Sequence, residues 1–255
     1  MERKIRIGAV SYLNTKPMLA GLVRAPIKDE IELLLEFPSG LVPLLKNGEI
    51  DIGLVPVAAL PEFSEYHIVS DYCISTIGEV ASVAVFSQVP MAEIETIILD
   101  YQSLTSVMLC KLLLARYWKR DVKFVSAEND NYFDLISGTT AGLIIGDRAL
   151  AYINKSNYHY DLGAAWKAFT GLPFVFAVWV SVKQLDNEFV KRFSEANGVG
   201  VNDIDQVVEG LAFPNYDLST YFKKNISYPL TATKLASIDV YLKGIRELAD
   251  SQHPQ

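Results

Sequence analysis

Residues 5–17 read IRIGAVSYLNTKP, and the fold turns on how this stretch is taken. Ile5–Val10 is a short apolar run suited to a buried strand, and Pro17 fits the first turn of a helix, where a missing N–H leaves no bond unmade. A strand, a polar loop and a helix start therefore follow one another directly. The same unit recurs downstream. Ile31–Phe37 is strand-like, Ser39 is placed to cap a helix over Leu41–Asn47, Gly48 can close that helix in the left-handed conformation, and Asp51–Val55 gives the next strand. Short strands alternating with helices specify an α/β fold with a parallel sheet.

The pattern changes at Val80–Ser87, VASVAVFS, an apolar strand that leads through Gln88, Val89 and Pro90 into a second set of α/β units. There the periodicity predicts strands at Thr96–Leu99, Lys123–Val125 and Gly142–Ile145, with helices over Thr105–Trp118, Tyr132–Ile136 and Arg148–Ile153. Gly171, Leu172 and Pro173 mark a break before Phe174–Ser181, FVFAVWVS, which can return the chain to the first set. The expected architecture is two-lobed. Residues 1–87 with 178–255 form the first lobe and 88–177 the second, with Val80–Ser87 and Phe174–Ser181 as crossing strands beside a hinged cleft. Beyond Ser181 the chain reads as helical, over Asp186–Ala196, Asp203–Ala212, a short piece around Leu218–Lys223, and Ala232–Leu248. The last of these carries Leu235, Ile238, Leu242, Ile245 and Leu248 at alternating spacings of three and four, the mark of one buried face on a structural brace. The polar ending SQHPQ is expected to be disordered.

Composition narrows the function classes. The 255-residue chain has a formal net charge of -7, and its longest basic cluster, Arg116 to Arg120, reads as a solvated helix end, so a nucleic-acid partner is not expected. No run of eighteen apolar residues is present, which excludes a membrane-spanning helix. The N-terminal apolar stretch is too short, and too interrupted by Arg6 and Gly8, for a signal-peptide core, so a cytoplasmic location is expected. Cys73 and Cys110 form no CxxC, and His67, His159 and His253 lie far apart without ligand neighbours, so no metal site is expected. The lone histidines read as structural. GxSxG, Walker, GxGxxG and HExxH motifs are all missing, and no cofactor is expected. On an acidic protein, an anion site has to be assembled locally from backbone N–H groups and hydroxyls.

In α/β sheets ligands gather at the carboxyl ends of strands. The loops to inspect follow Val10, Val55, Leu99 and Ile145. The first holds Ser11, Tyr12 and Asn14, which either satisfy turn backbone or present a hydroxyl, an aromatic wall and an amide to a ligand. Val55 and Pro56 end the third strand of the first set. Ser103, Thr105 and Ser106 stand at a helix start, where free N–H groups favour an anion and a single hydroxyl suffices as a cap. Ser82 sits in an otherwise apolar run and needs a partner or a cleft to face. Of Gly146 and Asp147, the aspartate is expected to cap the following helix.

Six segments, SYLNTKP at 11–17, GEIDIGLVPVAAL at 48–60, VASVAVFS at 80–87, SLTSV at 103–107, IIGDRAL at 144–150 and DLGAAWKAFTGLPFVFAVW at 161–179, carry a family resemblance. The chain resembles the chorismate dehydratases of the futalosine route to menaquinone across nearly its whole length up to about Trp179, with SYLNTKP the most specific element. Where that family commonly has Arg, this chain has Leu104. The resemblance implies a two-lobed periplasmic-binding-protein type II fold. It also implies conversion of chorismate, a small-molecule dianion, to 3-[(1-carboxyvinyl)oxy]benzoate and water without metal or organic cofactor. Asn14 and Ser82 would be the central polar groups, Thr105 and Ser106 would hold a carboxylate, and Ser11, Tyr12, Val55, Pro56, Gly146 and Asp147 would complete the substrate contacts. The rival readings are a non-catalytic carboxylate-binding or sensor protein on the same fold, and the 1,4-dihydroxy-6-naphthoate synthase of the same route.

Overall fold

The structure, a computed structural model, describes residues 3–24 and 26–252. Strands β1 (Ile5–Val10), β2 (Ile31–Glu36), β3 (Ile52–Pro56) and β4 (His67–Thr76) lead into β5 (Val83–Ser87), β6 (Thr96–Leu99), β7 (Lys123–Ser126), β8 (Thr140–Ile145) and β9 (Tyr158–Asp161), and β10 (Phe174–Ser181) follows. They form two five-stranded sheets, ordered β2-β1-β3-β10-β4 and β7-β6-β8-β5-β9. In the first, β1 runs parallel to β2 and β3 while β10 is antiparallel to β3 and β4. The second repeats this scheme, with β6 parallel to β7 and β8, and β5 antiparallel to β8 and β9. Strands β3, β5 and β10 are buried at every position, as uninterrupted apolar runs require when both faces of a sheet are covered.

Sheet membership corrects the expected lobe boundaries. Divisions at 87/88 and 177/178 assign β5 to the first lobe and cut β10, yet β5 pairs wholly within the second sheet and β10 wholly within the first. The crossings are instead the short connections before these two strands. An apolar run reports burial on both faces and says nothing about which sheet the strand joins. Strands β4 and β9 lie outside the sequence expectations as well.

The helices are α1 (Lys16–Leu22), α2 (Pro38–Lys46), α3 (Leu104–Leu113), α4 (Asp147–Tyr152), α5 (Leu162–Thr170), α6 (Asn187–Asn202), α7 (Ile204–Glu209), α8 (Leu218–Thr220) and α9 (Ala232–Gln252). Ser39 does not cap α2. Pro38 opens that helix, Phe37 holds the cap position without a side-chain bond, and Ser39 lies inside the first turn. After α3 the chain widens into a π-type turn over Leu114–Trp118, ended by Lys119 at φ 53°. Helix α9 buries Lys234, Ser237, Ile238, Tyr241, Ile245 and Leu248, whereas Leu235 is 41% exposed. Ile238, Ile245 and Leu248 of the expected stripe are thus on the buried face, which Ser237 and Tyr241 widen through polar contacts beneath the helix. Of the ending expected to be disordered, Ser251 and Gln252 instead complete α9, and residues 253–255 lie outside the described residues.

Helices α1 and α6 cross at two glycines. A Cβ on Gly21 would stand 1.7 Å from the Ala196 carbonyl oxygen, and one on Gly200 would stand 1.8 Å from that of Pro17. Backbone cannot yield as a side chain can, so any side chain here forces the helices apart. Gly200→Ala is expected to lower stability by ~1–3 kcal/mol, read as the urea unfolding midpoint. An unchanged midpoint would show that the helices are not in backbone contact.

Candidate functional site

The carboxyl ends of the two sheets face one another across a narrow cleft, partly open to solvent. Val10, Ile74, Val80, Val83, Ile145 and Phe176 supply its apolar wall. The polar groups facing it are Tyr12, Asn14, Ser82, Ser103, Thr105 and Ser106. Among the described residues no carboxylate, histidine, lysine or arginine lines it.

Ser82 is presented by the connection from β4 to β5. Ala81 sits at φ 61°, a left-handed conformation that costs free energy for a residue bearing a Cβ. Asp161 holds it there. Its carboxylate accepts from the backbone N–H groups of Val80 at 3.1 Å and Ala81 at 2.7 Å, and also caps α5 by accepting from Ala164 at 2.8 Å. The Ser82 N–H donates to Val80 at 2.7 Å, and the Gly146 N–H donates to the Ser82 carbonyl at 2.7 Å. The Ser82 hydroxyl oxygen accepts from Tyr221 at 2.8 Å, both side chains being buried.

The loop after β1 reaches over to the second sheet. The Tyr12 hydroxyl donates to Gln102 Oε1, and its ring lies against Gly146, where a Cβ would come within 3.1 Å of three ring atoms. Gly146 is at φ 63° and ψ -149°, a region open to glycine alone, so no other residue fits this turn on either count. Burial holds the Tyr12 hydroxyl well above its ordinary titration range. Asn14 is half-buried; its Oδ1 accepts from the Thr15 hydroxyl at 3.2 Å, and its backbone carbonyl accepts from Tyr228 at 2.9 Å.

The expected cap by Asp147 is not made. Gly146 takes the cap position without a side-chain bond, and the Asp147 carboxylate instead accepts from the Leu13 N–H at 2.9 Å. Burial raises that carboxyl above the usual range, against the Leu13 N–H and the nearby Lys16 and Arg148. The neighbouring Arg148 pairs with the buried Asp100 at 2.8 Å and with Asp130, which fixes the loop bearing Gln102.

At the start of α3, Ser103 is the cap, accepting from the Ser106 N–H at 3.0 Å. The Thr105 hydroxyl accepts from the Ala58 N–H at 3.2 Å and donates to the Phe176 carbonyl at 3.1 Å. Its proton is therefore committed to the first sheet. The Ser106 hydroxyl has no partner among the described residues, and the first-turn N–H groups of Leu104 and Thr105 have no intrahelical acceptor. An anion can be received by these groups with Leu104 in place of a cation.

Of the expected residues, Tyr12, Asn14, Pro56, Ser82, Thr105, Ser106 and Gly146 line one cleft. Ser11 does not; it is exposed, with its N–H donating to the Glu36 carbonyl at 3.2 Å. Val55 is buried in β3 and Asp147 is engaged with Leu13, and neither is part of the lining. Phe176 also lines the cleft and was not expected there, and Tyr221, which meets Ser82 from a distant part of the chain, carries no local signal.

The model of a protein family described as menaquinone biosynthesis matches residues 5–247. The chain belongs to that family. It is 28% identical over 232 residues to a chorismate dehydratase of Thermus thermophilus, covering 77% of this chain and 82% of that protein. It is also 28% identical over 192 residues to a chorismate dehydratase of Campylobacter jejuni, covering 73% and 72%. Among solved structures, a Candida albicans protein with the generic periplasmic binding protein fold superposes with a TM-score of 0.66 at 14% identity, covering 100% of this chain and 92% of that one. The family's fold here is accordingly the two-lobed α/β fold of the periplasmic binding proteins, with the cleft between its sheets.

The Asp161 clamp has a measurable signature. Burial pushes its carboxyl up to about 6 against the pull of three backbone N–H groups. A folded-state value above the unfolded one of about 4 means that the folded chain binds the proton more readily. The stability Asp161 contributes is thus full below about pH 4 and is lost as pH rises through about 6. Thermal melts of wild type and Asp161→Asn from pH 4 to 7.5 should show the wild type losing ground to the variant across that window. A constant difference would contradict the assignment.

Proposed function

We propose that the protein is a chorismate dehydratase of menaquinone biosynthesis, a carbon–oxygen lyase that converts chorismate to 3-[(1-carboxyvinyl)oxy]benzoate and water. The observation that carries this reading is a cleft whose polar lining, among the described residues, consists of uncharged groups alone, in a chain of the menaquinone-biosynthesis family. Such a lining suits a reaction whose driving force resides in the substrate.

In chorismate the ring hydrogen at C3 is vinylogous to the ring carboxylate. Its removal leaves the electron pair delocalised into a dienolate. That pair then forms the C3–C4 double bond as the C4–O bond breaks, and the ring becomes aromatic. The oxygen leaves with its own proton and one more, as water. The protein has to hold two carboxylates, favour charge growing on one of them and hydrogen-bond the departing oxygen.

We assign the free hydroxyl of Ser106 and the N–H groups at the start of α3 to a carboxylate. Thr105 serves through its backbone, because its hydroxyl is engaged with Phe176 and Ala58. Asn14 and Ser82 face the reacting ring, and the departing C4 oxygen takes the Ser82 proton as a hydrogen bond. With no carboxylate or histidine in the lining, the base is the substrate's own enolpyruvyl carboxylate, which passes the C3 proton on to the leaving oxygen.

Purified protein mixed with chorismate should develop the ultraviolet absorbance of an aromatic product, confirmed by its mass. Asn14→Ala and Ser82→Ala should each lose about 10²-fold or more in kcat, the scale of removing one preorganised donor. Full turnover by both variants overturns the site assignment. Binding of chorismate without a spectral change overturns the dehydratase reading in favour of a carboxylate-binding protein.

A further inference from the structure

The segment from Tyr216 to Tyr228, which is remote in sequence from every cleft motif, packs beneath the two polar groups assigned to the ring. The Tyr228 hydroxyl donates to the Asn14 carbonyl at 2.9 Å, and the Tyr228 carbonyl accepts from the Cys73 N–H at 2.8 Å. Asn225 donates to the Glu79 carbonyl at 3.3 Å and accepts from the Tyr216 hydroxyl at 3.1 Å. Between these anchors Tyr221, wholly buried in a π-type turn over Tyr221–Asn225, donates to Ser82 Oγ at 2.8 Å and lies beside the Asn14 side chain.

The direction of that hydrogen bond follows from chemistry. A phenol is a far stronger acid than an alcohol, so in a Tyr–Ser pair the phenol donates and the alcohol accepts. Burial raises the Tyr221 hydroxyl well above its ordinary range, so it keeps its proton as a donor at any pH the protein meets. With one side of Ser82 Oγ occupied, and its backbone N–H and carbonyl engaged with Val80 and Gly146, the Ser82 proton has the cleft left to point into. A hydroxyl that accepts one hydrogen bond also becomes a better donor in the next.

We infer that Tyr221 is a positioning residue, which aims the Ser82 hydroxyl into the cleft and strengthens it as a donor to the departing oxygen. This rests on the dehydratase reading. In that step the C4–O bond breaks with its electrons on oxygen, the oxygen receives the proton taken from C3, and water leaves. Ser82 and Tyr221 end with the protons they began with.

The test is Tyr221→Phe, which removes one oxygen and keeps the ring that packs on Phe222 at 5.4 Å and Tyr216 at 6.2 Å. We expect kcat for chorismate to fall about 10-fold with KM changed far less, the size of one lost hydrogen bond expressed in the transition state. In a Ser82→Ala background the same change should add no further loss, because its effect acts through the Ser82 hydroxyl. Tyr216→Phe loosens the same segment without touching Ser82 and should keep the wild-type kcat. Wild-type kcat in Tyr221→Phe, an equal loss in the Ser82→Ala background, or an equal fall in Tyr216→Phe each overturns the inference while leaving the dehydratase reading intact. Absence of turnover by the wild type overturns both.

Discussion

One carboxylate fixes the geometry on which the cleft depends. Asp161, at the end of the second sheet's edge strand, gathers the N–H groups of Val80, Ala81 and Ala164. Together with the Ser82 N–H bond to Val80 and the Gly146 N–H bond to Ser82, it holds Ala81 at positive φ on the connection that delivers Ser82 to the cleft. The same carboxylate caps α5, so the crossing and the helix beside it are tied by one group. Interior position and backbone donors act in opposite directions on its titration. The site is thus held by a group whose own charge state is finely set.

The lobes are then joined by polar contacts that cross the cleft. The Thr105 hydroxyl ties α3 to β10 and to the segment after β3, the Tyr12 hydroxyl reaches Gln102, and the Asp147 carboxylate receives the Leu13 N–H. Helix α9 braces the arrangement from behind. Its Tyr241 donates to the Thr105 carbonyl at 2.9 Å, and its Ser237 accepts from the Trp166 indole at 3.1 Å while donating to Pro173 at 2.5 Å. Of the hydroxyls at the start of α3, that of Ser106 has no partner among the described residues, and it stands where the helix also offers unpaired N–H groups.

Much of this was legible in the sequence where the signal is local. The run IRIGAV followed by Pro17 marks β1 and the start of α1, and Gly48 does close α2 at φ 68°. Strand β4 was given no bounds because Ser70 and Asp71 interrupt its apolar pattern, and β9, YHYD, is four residues long, too short for its Tyr–polar alternation to register. Burial in VASVAVFS and FVFAVWVS was readable, but sheet membership depends on long-range pairing. The site shows the same division. Motif residues Asn14 and Ser82 could be singled out, yet the partners that occupy the Thr105 hydroxyl, redirect Asp147 and orient Ser82 come from Ala58, Phe176, Leu13 and Tyr221, all remote in sequence.

On the proposed dehydratase reading, a cleft lined by uncharged polar groups leaves proton transfer to the substrate. The most direct measurement is the pH dependence of kcat for chorismate between pH 7 and 9. A carboxylate of ordinary pKa, about 4, is fully ionised throughout that range, and no lining side chain titrates within it. A flat profile is therefore expected, whereas an inflection between pH 7 and 9 would reveal a protein acid or base in the step and contradict a substrate-borne base.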